Sequence, residues 1–84
     1  MDTVFLLIGD RVESAVRVQS ILSQNGDIIR TRLGINREIG RKDMEASGFV
    51  FLELCADESR VDSLVKELNS LERVRAEHLR IELP

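Results

Sequence analysis

The 84-residue chain is 43% hydrophobic and 32% charged, with a net charge of −3. It fits one small domain, residues 1–84, whose size buries too small a share of its surface to be very stable alone, so self-association into a dimer or tetramer is expected. The negative balance argues against direct nucleic-acid binding, the single cysteine excludes an internal disulfide and a multi-cysteine metal site, and no apolar run approaches a membrane span or a signal-peptide core.

Thr3–Gly9 (TVFLLIG) is short, apolar and glycine-terminated, and reads as a buried strand. Asp10 then caps a helix, and Glu13 three residues later completes a pattern like a capping box. The helix runs to about Gln24, with Val12, Ala15, Val16, Gln19 and Leu22 as its stripe and Val18 and Ile21 widening it. Asn25-Gly26 stops it, because either residue accepts the left-handed conformation past a helix end.

Asp27–Asn36 reads as a second strand. Ile29, Thr31, Leu33 and Ile35 share one face; Ile28, Arg30, Arg32 and Gly34 share the other. Gly34 is expected to mark a bend or a close backbone approach. The arginines either protect a sheet edge or line an interface. Residues 37–47 (REIGRKDMEAS) read as a charged hairpin tip.

Gly48–Ala56 reads as the third strand, with Cys55 expected as a packed small hydrophobe. Asp57 caps a second helix whose stripe is Val61, Leu64, Val65, Leu68 and Leu71. In the final run, RVRAEHLRIEL, Val74 and Ala76 fall on one parity and Leu79, Ile81 and Leu83 on the other. A strand with a bulge near Glu77–His78 would reconcile them; a longer second helix is the competing reading.

The order β-α-β-β-α-β is that of an α+β, ferredoxin-like sandwich: a four-stranded antiparallel sheet with two helices on one face. The first and third strands become the central pair. Both their faces are apolar, so Phe5, Leu7, Phe49 and Phe51 would lie exposed on the open side and are expected at an oligomer interface, with Arg30, Arg32 and Gly34 beside them.

Catalytic signals are lacking. His78 stands alone, and no carboxylate dyad, phosphate-binding glycine loop or nucleophile elbow is present. No enzyme activity, metal or cofactor is expected. The turn before the first helix, Gly9, Asp10 and Arg11, is a candidate ligand-binding position, because free N–H groups are available there.

The segment VQSILSQNGDIIRTRLGI resembles the small ACT-like proteins known as iron-only hydrogenase system regulators. The family's helix-ending glycine, polar residue, apolar pair and Arg-x-Leu-Gly-Ile strand fall here on Gly26, Asp27, Ile28–Ile29, Arg32, Leu33, Gly34 and Ile35. The length and element order are similar as well. Where the family carries glycine between the second helix and the last strand, this chain has ELNSLERVRAEH. The resemblance implies a stand-alone regulatory domain that self-associates, pairs with a protein partner or senses a small ligand such as an amino acid at subunit interfaces; in ACT domains that site is built from the turn before the first helix, here Gly9, Asp10 and Arg11, and the turn into the second strand, here Asn25, Gly26, Asp27 and Ile28. The single cysteine is compatible with a reducing, cytoplasmic setting.

Overall fold

The computed structural model describes residues 1–9, 12–36 and 46–84. In chain order these form β1 (Asp2–Gly9), α1 (Val12–Gln24), β2 (Ile29–Asn36), β3 (Ala46–Leu54), α2 (Glu58–Asn69) and β4 (Val74–Arg80). The strands make one antiparallel sheet in the order β2-β3-β1-β4. This is the ferredoxin-like βαββαβ arrangement, with the apolar strands β1 and β3 in the centre. Asp10 and most of the expected hairpin tip, residues 37–45, lie outside the described residues. No helix among the described residues is long and apolar enough to cross a membrane.

The core lies between one sheet face and both helices. Val4, Leu6 and Ile8 of β1 alternate inward, as do Val50, Leu52 and Leu54 of β3. Val18, Ile21 and Leu22 descend on them from α1, and Val61, Leu64 and Leu68 from α2, with Val74 and Ala76 closing the β4 side. The α2 stripe is the one expected. That of α1 is rotated: Val16 is 62% exposed and Gln19 is exposed, while Ser14 is buried. The Ser14 hydroxyl donates to the Glu72 carbonyl at 2.5 Å, which satisfies it and ties α1 to the turn after α2.

The α1 stop and the start of β2 depart from expectation. The α1 stop uses no left-handed residue at Asn25 or Gly26. Instead the Asn25 backbone N–H reaches the Ile21 and Leu22 carbonyls at 3.2 Å, and its side-chain Nδ2 donates to the Ile21 carbonyl at 2.8 Å. The left-handed position is Arg73, at φ 62°, in the glycine-free turn into β4. At the start of β2, Ile29 pairs with Leu54 and Thr31 with Glu53, so Arg30 is an extra residue. That bulge turns Ile29 toward the core instead of placing it with Thr31, Leu33 and Ile35.

The bulge expected in β4 is absent. Its register with β1 is unbroken from Ile8–Val74 to Asp2–Arg80. Leu79 therefore falls on the open face, and no irregularity is needed to explain its parity. β3 ends at Leu54, two residues earlier than expected, so Cys55 lies beyond the strand, exposed and free.

Candidate functional site

Antiparallel pairing turns the open face of the sheet into three cross-strand rows. Ile35, Phe49, Leu7 and Arg75 form the first; Leu33, Phe51, Phe5 and Glu77 the second; Thr31, Glu53, Thr3 and Leu79 the third. Phe5 meets Phe51 edge-on at 5.4 Å between centroids and Phe49 at 6.0 Å. Leu7 is 44% exposed and Leu33 and Ile35 are each 61% exposed, so six apolar side chains form one contiguous surface.

Its polar border is internally satisfied. Arg75 donates to Glu77 at 2.7 and 2.9 Å, and the Thr31 hydroxyl donates to Glu53 at 2.8 Å. Thr3 is fully buried, with its hydroxyl donating to the Leu79 carbonyl at 2.7 Å. Phe5, Leu7, Phe49 and Phe51 thus share the surface expected of them. Arg32 and Gly34 do not join it: they pair with Leu52 and Val50, whose side chains face the helices. Gly34 makes no close backbone approach among the described residues, where a Cβ would meet only Val50 Cγ2, at 3.9 Å.

The two candidate ligand-binding turns lie at opposite ends of α1, whose thirteen residues span about 20 Å. One chain does not bring Gly9 and Gly26 together. Asn25, Gly26, Asp27 and Ile28 sit beside the start of α2. There Arg60 donates to both Asp27 carboxylate oxygens, at 2.6 and 3.1 Å, and to Asn25 Oδ1 at 3.3 Å. The Arg60 hydrogen bond holds the Asp27 carboxyl below its usual range, and Asp27 raises Arg60 in turn. The Ile28 carbonyl accepts from the Cys55 N–H at 2.8 Å. These groups are spent on joining the turn to α2. Sequence reading did not connect Arg60 to it, because the two are 33 positions apart.

Gly9 closes against the α2–β4 turn, its N–H donating to the Arg73 carbonyl at 2.7 Å. Asp10 and Arg11 lie outside the described residues. His78 pairs through Nε2 with Asp2 at 2.9 Å, at the far end of the sheet from Gly9, and this bond is the main cause of a lowered Asp2 carboxyl. Cys55 has Arg30 Nη2 at 3.8 Å. Among the described residues no three His, Cys, Asp or Glu side chains are grouped to hold a metal.

No family profile matches the chain and no curated protein matches it by sequence. The fold is similar to the solved structure of TM1266, an uncharacterized protein from Thermotoga maritima. The TM-score is 0.82 at 20% identity, over 96% of this chain and 95% of that one. At that identity the likeness speaks for the fold alone.

Proposed function

We propose that the chain is a self-associating, ACT-like regulatory module without catalytic chemistry of its own, which receives a second copy on its open sheet face and senses a small molecule. The observation that carries this is the contiguous apolar surface of Phe5, Leu7, Leu33, Ile35, Phe49 and Phe51. Four strands about 4.8 Å apart and eight residues long at about 3.3 Å per residue present about 500 Å² in projection. That approaches the roughly 600 Å² per partner at the lower end of specific interfaces.

A second copy suits this face better than a charged partner. The face is neutral at its centre, and its bordering groups already have partners within the chain: Arg75 pairs with Glu77, and Glu53 accepts from the Thr31 hydroxyl. An identical apolar face covers that centre without adding a charge to it. The regulatory and sensing roles rest on the resemblance of Gly26–Ile35 to the iron-only hydrogenase system regulators, and the cytoplasmic setting on a single cysteine that suits a reducing compartment.

Size-exclusion chromatography with light scattering tests the association. The wild type is expected as a dimer or larger at micromolar concentration. The double variant Leu33→Glu/Ile35→Glu is expected as a folded monomer, since both side chains are already mostly exposed. A monomeric wild type overturns the association. A thermal-shift screen of amino acids tests the sensing role, because a ligand of the native state raises the melting temperature. No shift leaves a purely structural interaction module.

A further inference from the structure

We infer that the groove between α1 and the edge strand β2 is a binding site for a small carboxylate with a compact apolar body. The inference deepens the sensing role proposed above and does not require self-association. The groove encloses about 240 Å³ and is lined by Ile8, Ala15, Gln19, Arg32, Gly34, Gly48 and Val50.

Two of its lining residues are glycines on adjacent strands, and packing does not require either. Among the described residues, a Cβ at Gly34 would approach nothing closer than 3.9 Å, and one at Gly48 nothing closer than 3.7 Å, both ordinary contacts. Neither has a positive φ, so backbone conformation does not demand glycine either. Strand interiors disfavour glycine. Here its effect is a bare backbone floor beneath α1, where branched side chains would otherwise fill the space. Ile8, Ala15 and Val50 supply apolar walls.

The polar end of the groove is cationic. Arg32 lies on the same face of β2 as Gly34, two residues before it, and its Nη2 donates to Gln19 Oε1 on α1. That partner is neutral, and Arg32 has no carboxylate partner among the described residues. A guanidinium held this way presents its remaining N–H groups as a fork that matches a carboxylate. A branched short-chain acid or a small aliphatic amino acid has both the charge and the bulk for this space.

The test is a ¹H–¹⁵N NMR titration of the full chain with isobutyrate and with L-valine, with isobutyramide as the uncharged control. A saturable shift of the Gly34 and Gly48 amides is expected with at least one carboxylate and not with the amide. Arg32→Gln should weaken it at least tenfold. Gly34→Val should abolish it while leaving the melting temperature unchanged or raised, which separates loss of the site from loss of the fold. The shift should persist in the monomeric Leu33→Glu/Ile35→Glu variant, so failure of the association leaves this site standing. Absence of a saturable shift with both carboxylates, an equal response to isobutyramide, or binding retained in Gly34→Val overturns the inference.

Discussion

Gly9 and Arg73 pack so closely that neither can be considered without the other. A Cβ on Gly9 would lie 2.7 Å from Arg73 Nε, 2.8 Å from its Cβ and 3.2 Å from its carbonyl oxygen. Gly9 is required for space rather than for conformation, since the left-handed residue of the pair is Arg73. Gly9→Ala should therefore destabilise by about 1–3 kcal/mol, the usual range for overpacking. Arg73→Gly removes two of the three obstructing atoms and a left-handed penalty of roughly 1–2 kcal/mol. Urea unfolding of the double variant should recover most of the Gly9→Ala loss; strict additivity of the two single changes would show that the contact is not the cause.

The rotation of α1 gives a second test. Val16 faces solvent and Leu22 is 1% exposed in the core. Val16→Glu should change stability by no more than about 0.5 kcal/mol. Leu22→Ala should cost about 2–5 kcal/mol. Comparable losses at both positions in chemical denaturation would contradict this helix phase.

The misjudged phase shows where sequence pattern loses its hold. The helix has more apolar residues than it can bury, so several stripes fit, and only the sheet beneath it selects one. The same excess misled the reading of β4. Leu79 seemed to need a bulge only on the premise that each strand carries one apolar face, whereas the open face of this sheet is apolar as well. The α2 stripe was legible because its periodicity admits a single answer, and the β1–β3 pairing because the β-α-β-β-α-β order puts those two strands in the centre. Arg73 was not, because no glycine marks its left-handed turn. Arg30 was not, because a bulge has no residue signature of its own.

Asn69 is a further residue that sequence reading passed over. Its side chain faces Ala76 as a strand would: Nδ2 donates to the Ala76 carbonyl at 3.0 Å and Oδ1 accepts from the Ala76 N–H at 2.7 Å. Asn69→Ala leaves both groups of a buried residue unmatched and should cost about 1–3 kcal/mol. Asn69→Asp keeps the acceptor and loses the donor, so it should fall between wild type and Asn69→Ala in thermal melts. Equal melting temperatures for all three would mean that water replaces the amide without loss.

Acid should destabilise the fold through three carboxylates. Asp2 is lowered chiefly by its His78 hydrogen bond, Asp27 by Arg60, and Asp57 by the Arg60 backbone N–H at the cap of α2, with the Ser59 hydroxyl adding to it. A depressed carboxyl contributes stability that is fully present above its ordinary value of 3.8 and is lost as pH falls through the lower folded value. Melting temperature should hold steady down to that ordinary value and then decline. The Asp2→Asn/Asp27→Asn/Asp57→Asn variant should decline less steeply over the same interval; an equally steep decline would place the acid sensitivity elsewhere.

The Asn69 side chain also makes the two margins of the sheet unequal. Along β4 it occupies the backbone groups that an incoming strand would need at Ala76, while β2 carries no such plug among the described residues. Lateral growth of a sheet into a fibril requires every subunit to offer two receptive margins. With one margin blocked, strand addition along the other closes after two copies, back to back about a dyad, and has nowhere further to go.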